Sequence, residues 1–239
     1  MGHDTTRTFV DRDLRGARFI RSTLAGAVMR GVDVRGLDID APWLDDGPLV
    51  VNGVDVGPLV EAELNRRFPG RELRQATDPD GLRAAWAAVE RAWAAAVDRV
   101  TAMPDGAADV SADGEWSFAQ TLRHLVFATD AWLGKAILRR PQPFHPLGVP
   151  NVEYETDGFD MSIFSPDKPT FAEVLQARAE RQGMVRDFLA TVTPELLAEP
   201  RPSAWSPEHQ KSVLACLHVI LHEEWEHLRF ALRDLDAQS

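Results

Sequence analysis

The chain has 239 residues, of which 44% are hydrophobic, so it is long enough to bury a substantial core in one main domain with an appendage. Its formal net charge of −11 argues against general binding to nucleic acids or to anionic membranes. The sequence has no N-terminal apolar segment typical of an export signal and no run of eighteen apolar residues. A single cysteine, Cys216, excludes an intrachain disulfide and fits a reducing compartment. We therefore expect a cytoplasmic protein with no membrane and no nucleic-acid partner.

Large apolar residues recur every five positions in the N-terminal segment. The series is Phe9, Leu14, Phe19, Leu24, Met29, Val34, Ile39 and Leu44. Neither a helix nor a flat strand has this period, whereas a square solenoid with one quintet on each side does. Residues 7–44 resemble the pentapeptide-repeat proteins, and this resemblance implies a short right-handed quadrilateral β-solenoid. We expect it to be a docking or stabilising module, because it contains no residues suited to metal binding or acid–base chemistry.

Residues 45–77 form a predicted connector. An Asn-Gly pair between β-branched residues, Asn52-Gly53, predicts a β-hairpin. A short helix is predicted from about Pro58 to Phe68, where Pro69-Gly70 ends it. We expect this connector to have a structural role.

Residues 78–236 show the pattern of a mainly α four-helix bundle. The predicted starts are Asp78-Pro79, Ser117 with Gln120 as a capping box, Thr170 with Glu173 as a second capping box, and Ser212. The second helix is expected to run to about Arg139 and the fourth to about Leu235. The stretch between residues 140 and 168 is long and contains proline and glycine, so we expect a long crossover connection between the second and third helices.

The fourth predicted helix carries three histidines and three glutamates between Cys216 and His227. Residues four apart lie side by side on a helix, so Glu223 and His227 could hold one metal ion. On a helical wheel Glu224 and His227 fall on the apolar face and Glu223 lies at its margin. Such buried groups need a partner, which could be a divalent cation or simply a Glu–His hydrogen bond. The opposite side is expected to be a solvated face, made of His218, His222, Glu226, Arg229 and Arg233.

His124 in the second predicted helix is the candidate third ligand. Its neighbours on the same face, Thr121, Ala128 and Ala131, are small and leave room beside the imidazole. A lone histidine here would more often be a core residue, but a second inward-facing helix with histidine and carboxylate favours a metal site. Cys216 could approach the same site, although most buried lone cysteines act as small hydrophobic residues.

Residues 78–236 resemble the DinB/YfiT-like four-helix-bundle metalloproteins, which include mycothiol-dependent maleylpyruvate isomerase and thiol S-transferases. The resemblance rests on Leu122-Arg123-His124-Leu125 in the second helix and on the Glu223 and His227 pair in the fourth. It implies that His124, Glu223 and His227 bind one divalent metal, zinc or alternatively nickel or iron. Glu224 stays open as the alternative carboxylate ligand, because it stands three residues before His227 and faces the core.

The same resemblance implies that the metal activates a low-molecular-weight thiol such as mycothiol. The thiolate would attack a small electrophile, which gives S-transfer or thiol-dependent isomerisation. Residues that we consider as substrate contacts are Thr121, His145, Tyr154 and Asp160. Two other functions stay open: a non-catalytic metal-binding protein of the stress-response or structural type, and an interaction protein whose solenoid recruits a partner. A homodimer is also left open.

Overall fold

A computed structural model describes residues 8–151, 153–206 and 208–238, apart from the side chain of Glu153. The chain divides into two compact units, with the boundary between Ala41 and Pro42. The predicted repeat segment begins at residue 7, which lies outside the described residues. The division into segments 7–44, 45–77 and 78–236 stays a prediction. In the described part of the chain, no helix has both the length and the apolar character needed to cross a membrane.

The unit before Pro42 repeats its backbone conformation every five residues. The positive-φ positions among its described residues are Asp11, Gly16, Arg21, Gly26, Gly31 and Gly36. Main-chain hydrogen bonds close turns around Gly16, Gly26 and Gly36. In these turns the N–H groups of Ala17, Ala27 and Leu37 donate to the carbonyl oxygens of Leu14, Leu24 and Val34, respectively. Residues 8–40 are all exposed. The five-residue period of the sequence is therefore present in the backbone, whereas the closed β-solenoid stays a prediction.

The second unit begins with the predicted hairpin and helix. Strands β1 (Val50–Val51) and β2 (Val54–Asp55) pair antiparallel around Asn52 and Gly53, whose φ angles of 51° and 83° suit a tight hairpin turn. Helix α1 spans Gly57–Arg67, within one residue of the predicted bounds. A short 3-10 helix, Arg71–Gln75, then leads into the bundle.

The remaining elements confirm the four predicted long helices and add short ones. In chain order they are α2 (Pro79–Thr101), α3 (Phe118–Thr129), α4 (Glu153–Thr156), α5 (Phe171–Thr191), α6 (Pro194–Ala198), β3 (Pro200–Pro202), β4 (Gln210–Ser212) and α7 (Val213–Asp236). Both predicted capping boxes are present, at Ser117 and Thr170. Helix α3 continues as a π-helix over Asp130–Ile137, so its helical run ends about two residues before the predicted end. Strands β3 and β4 form an antiparallel hairpin that the sequence pattern did not predict.

Helices α3 and α5 are parallel neighbours, which explains the long connection between them. The rings of Phe118 and Phe171, at the two helix starts, are 6.2 Å apart. About one dozen residues further along, Arg181 of α5 pairs with Asp130 at 2.9 Å. Helix α7 packs against both α2 and α3. Two parallel neighbours cannot be joined by a short turn, so the predicted crossover follows from this packing.

The core of the bundle lies between these four helices. It contains three almost fully buried tryptophans, Trp86, Trp93 and Trp225, together with leucines and alanines from every long helix. The large rings and small residues interlock, so the helix backbones are held at fixed positions. Side chains that point inward from α3 and α7 are consequently held on a rigid frame.

Candidate metal centre

His124 is fixed on α3 by a firm helix start and by its small neighbours. Ser117 accepts the main-chain N–H of Gln120, and the Gln120 side chain accepts the N–H of Ser117 in return. This capping box sets the phase of the helix, so that His124 faces inward with only 7% of its surface exposed. Thr121 and Ala128, on the same face, are buried beside it. The imidazole is therefore held inside the bundle.

The orientation of the His124 ring is set by the long connection between α3 and α5. Its Nδ1 lies 3.0 Å from the carbonyl oxygen of Val149. A carbonyl oxygen can only accept, so Nδ1 carries the hydrogen and, in a neutral ring, Nε2 presents a lone pair. That lone pair points towards α7, because Nε2 of His124 lies 3.5 Å from Oε2 of Glu223. A backbone carbonyl that fixes the ring in this way is a common support for metal-binding histidines.

Helix α7 brings Glu223 and His227 to the same place. The two residues are four apart, and Oε2 of Glu223 lies 3.1 Å from Nε2 of His227. The imidazole rings of His124 and His227 have centroids 4.7 Å apart. One ligand atom from each of His124, Glu223 and His227 lies within 4.8 Å of the others. The structure therefore brings together the three residues singled out from the sequence.

Electrostatics in this cluster favour an ionised Glu223 carboxylate and a neutral His227 ring. Burial would raise the pKa of the Glu223 carboxyl, but hydrogen bonds and charge interactions with His124 and His227 outweigh it and hold that pKa well below its usual range. Burial lowers the pKa of His227, and the contact with Glu223 opposes this only in part. A deprotonated carboxylate at Glu223 and a neutral imidazole at His227 are the protonation states that metal ligands need.

The arrangement contains a conflict that a cation would remove. When the His124 ring is neutral and its Nδ1 donates to Val149, the Nε2 lone pair faces a carboxylate oxygen, so two acceptors oppose each other. A proton on Nε2 or a metal ion between the groups would satisfy both. Two imidazole nitrogens and one carboxylate are a ligand set of catalytic zinc sites and of non-haem iron sites. The residues present thus fit a divalent metal.

Glu224, the alternative carboxylate ligand, has a different partner. It is 1% exposed, and its Oε2 pairs with Nη2 of Arg178 from α5, which is also buried. Burial raises the pKa of Glu224, and the Arg178 charge opposes that effect. Because Arg178 holds this carboxylate, Glu223 is the residue that faces the two histidines.

The solvated face predicted on the other side of α7 is wrong for four of its five members, because Arg233 alone among them is exposed. Glu226 is buried with 6% of its surface exposed, and it pairs with Arg229 at 2.9 Å and with Arg71 at 3.4 Å. Arg71 belongs to the 3-10 helix before the bundle and also pairs with Glu61 of α1 at 2.8 Å. The connector thus lies over this face of α7. The helical wheel could not show this, because the covering residues come from a distant part of the chain.

The two other histidines of that face contact residues that precede the bundle, Ala76 in the connector and Trp43 just before it. Nε2 of His218 lies 2.8 Å from the carbonyl oxygen of Ala76, and the ring of His222 stacks on Trp43 with centroids 4.2 Å apart. Both side chains are half-buried, and neither belongs to the group of ligand atoms from His124, Glu223 and His227. The contact of His218 with Ala76 supports the structural role predicted for the connector.

Trp116 is a component of the site that the sequence reasoning missed. Its ring lies 4.6 Å from that of His124 and 5.8 Å from that of His227, measured between centroids. It is half-buried and stands directly before Ser117, the N-cap of α3. An aromatic residue next to a helix cap usually packs on its own helix. The sequence therefore did not predict that Trp116 contacts both histidines, because this contact depends on how α7 packs against α3.

The other candidate residues are scattered. Thr121 lies buried on the face of α3 that carries His124. Tyr154 is buried among aromatic rings, where it packs on Phe127 at 5.4 Å. His145 accepts the N–H of Leu147 within the long connection, and exposed Asp160 caps a 3-10 turn. Cys216 is fully buried in the core, and burial raises the pKa of its thiol. Tyr154 and Cys216 therefore act as packing residues.

Comparison with known proteins identifies a family for the bundle. A family model described as the DinB superfamily matches residues 88–231, which is more than half of the chain. The matched range contains His124, Glu223 and His227, whereas the unit before Pro42 lies outside it. No curated protein and no solved structure matches the chain.

Proposed function

The chain belongs to the DinB superfamily, and we propose that it is a metal-dependent enzyme that activates a low-molecular-weight thiol. The observation that carries this proposal is the convergence of His124, Glu223 and His227, with ligand atoms within 4.8 Å of one another. A carboxylate whose pKa is held low and a histidine ring fixed by the Val149 carbonyl are ready to bind a cation without rearrangement.

Zinc is the metal that we propose, with nickel or iron as alternatives for the same ligand set. When bound, zinc supplies Lewis acidity that lowers the pKa of a thiol at an open coordination position, so that a thiolate is available near pH 7. Three protein ligands leave such a position in a tetrahedral site.

The protein residues have distinct roles in this proposal. Glu223 lies close to both imidazoles, and it would neutralise one unit of charge on a metal held there. Trp116 covers the two rings and keeps water away from that side. Val149 holds the His124 ring in one tautomer.

The reaction that we propose is nucleophilic attack by the thiolate sulfur on an electrophilic carbon. A new S–C bond forms, and the leaving group departs with the electron pair of the broken bond, which is S-transfer. If the thiol adds to an unsaturated electrophile and later leaves as thiolate, the net result is isomerisation. Mycothiol is the thiol suggested by the sequence resemblance.

The deciding experiment is metal analysis of protein made without a histidine tag, followed by a thiol-consumption assay with mycothiol and a reactive electrophile. We expect about one equivalent of metal per chain and thiol consumption that His227→Ala abolishes. Protein purified without metal, and unable to take up zinc, would overturn the proposal. The matched control is His218→Ala, which changes a histidine of the same helix outside the cluster.

One observation favours a second function, which is non-catalytic metal binding. Trp116 lies over both imidazoles, and a permanently covered site would serve stability rather than turnover. In that case the protein would contain metal and unfold more readily after chelation, but it would not consume thiol. Trp116→Ala separates the two functions, because it uncovers one side of the site. In an enzyme this change should alter the rate of thiol consumption, whereas a non-catalytic protein should consume no thiol with or without Trp116.

A further inference from the structure

A cavity of about 240 Å³ lies between α2 and α5, and the buried side chain of Leu122 from α3 forms part of its wall. Protein cavities of about 150 Å³ already accept a benzene molecule. This cavity is therefore large enough for a ligand built on one small ring. None of His124, Glu223 and His227 lines it, so it is separate from the candidate metal centre.

Arg178 is the buried charged residue of this cavity. Its side chain is only 4% exposed, and its Nη2 pairs with the carboxylate of Glu224. Its Nε and Nη1 are buried too, and neither has a hydrogen-bond partner in the part of the chain that the structure describes. Buried donors without an acceptor destabilise a folded protein, and both of these nitrogens can only donate. Because Arg178 lines the cavity, a ligand there can supply an acceptor that the described residues do not.

The walls beside Arg178 are largely apolar. The ring of Trp93 lies 6.0 Å from the guanidinium carbon of Arg178, and Leu122, Leu175 and Val97 line the same space. Apolar walls with a small number of placed polar groups are the usual composition of a small-molecule site. The tryptophan ring also offers a flat surface on which a planar ligand can stack. The cavity therefore suits a planar apolar group that carries a hydrogen-bond acceptor.

The charges around the cavity select a neutral ligand. Glu224 already balances the charge of Arg178, and the carboxylates of Glu90 and Asp98 line the same space, so an anion would be repelled. A cation would lie beside the unpartnered donors of Arg178. We propose that this cavity binds a small neutral carboxamide attached to a planar apolar group. Its carbonyl oxygen accepts from Arg178, its apolar part packs on Trp93, and its N–H groups face the polar side chains that line the cavity.

The test is an NMR titration of the isotope-labelled full-length protein with benzamide, benzoate and benzamidine, which share one ring and differ in charge. We expect benzamide to shift the indole N–H signal of Trp93, which Trp93→Phe identifies. Benzamide should also bind at least about tenfold more tightly than benzoate or benzamidine. Failure of benzamide to bind would overturn the proposal. So would tighter binding of either charged compound, because the site would then not select a neutral ligand.

Two substitutions in α2 locate the binding without disturbing the buried ion pair. Ala94 is exposed and lines the cavity, so Ala94→Phe should fill it and remove benzamide binding. Ala95→Phe is the matched control, because Ala95 is also exposed but does not line the cavity. It should bind benzamide as the wild-type protein does. Equal affinity in both variants would place the ligand elsewhere and overturn the proposal.

A third substitution tests the role of the guanidinium. Arg178→Lys keeps a positive charge beside Glu224 but removes the planar group of donors, and it should weaken benzamide binding at least about tenfold. Unchanged affinity in this variant, with a native circular dichroism spectrum, would contradict the assigned contact. If Arg178→Lys does not fold, the pair Ala94→Phe and Ala95→Phe decides the question. Metal content and thiol consumption play no part in these readouts, so they stand apart from the proposed enzyme function.

Discussion

The carboxylate of Glu224 on α7 forms an ion pair with the guanidinium of Arg178 on α5, and both side chains are almost fully buried. Glu223, the preceding residue, faces His124 and His227 instead. Two neighbouring glutamates thus point in different directions and have different partners. One belongs to the candidate metal centre, and the other links two helices of the bundle.

Separate substitutions of the two glutamates should therefore give opposite results. Glu223→Gln removes the ionised ligand and should abolish metal binding while the fold remains intact. Glu224→Gln should retain the metal but lower the free energy of unfolding by about 3–5 kcal/mol, because the buried Arg178 loses its counter-charge. Metal analysis and urea unfolding of both variants check this. Metal loss in Glu224→Gln with an intact fold would contradict the assignment of ligands.

The histidines of α7 should divide in the same way. His227→Ala is expected to remove the metal. His218→Ala loses the hydrogen bond to the Ala76 carbonyl, and His222→Ala loses the stack on Trp43, so each should cost about 1 kcal/mol of stability and keep the metal. Metal content and thermal unfolding of the three variants provide the measurement. Equal metal loss in all three would mean that the wrong face of α7 has been chosen.

The ion pair between Arg71 and Glu226 should contribute strongly to stability. Replacing Arg71 with alanine removes its ion pairs with Glu226 and Glu61 and should cost about 3–5 kcal/mol, although the pair of Glu226 with Arg229 offsets part of that loss. The control is Arg66→Ala, because Arg66 pairs with Glu63 on the exposed side of α1. That change should cost no more than about 0.5 kcal/mol. Similar unfolding midpoints for the two variants would refute a role for the buried pair.

The metal-free protein should lose stability as the pH falls. His227 and Glu223 both have a lowered pKa in the folded state, so the unfolded chain binds more protons and stability rises with pH. The contribution of His227 is complete above its unfolded value near 6.5, and that of Glu223 above 4.5. Each decays below that pH by at most about 1.4 kcal/mol per unit. The measurement is the urea midpoint of unfolding at several pH values. As the pH falls below 6.5, this midpoint should decrease less steeply for His227→Gln than for the wild-type protein.

Truncation should separate metal binding from stability. A chain beginning at Pro42 retains the connector and should bind metal. A chain beginning at Asp78 should still bind metal where it stays folded, but it loses the Arg71 and Ala76 contacts to α7 and should be several kcal/mol less stable. Metal content and circular dichroism of both chains test this. A folded chain from Asp78 that fails to bind metal would show that the connector contributes to the site.

The sequence by itself determined the features that depend on interactions between residues close together in the chain, namely where helices begin and which side chains share a helix face. The capping boxes at Ser117 and Thr170 fixed two helix starts, because their hydrogen bonds join residues three apart. The i,i+4 spacing placed Glu223 beside His227, since a helix repeats its faces every 3.6 residues. The apolar period of α3 likewise turned His124 towards the interior.

Only the tertiary structure decided which partners these groups have. Arg178 of α5 takes the Glu224 carboxylate, and Arg71 reaches Glu226 across 155 positions of sequence. The Val149 carbonyl sets the tautomer of His124 from within the long connection. Such contacts depend on which distant elements pack together, and helical periodicity describes one helix at a time. The sequence can therefore predict which face of a helix carries a residue, whereas the packing of distant elements determines which partner that residue contacts.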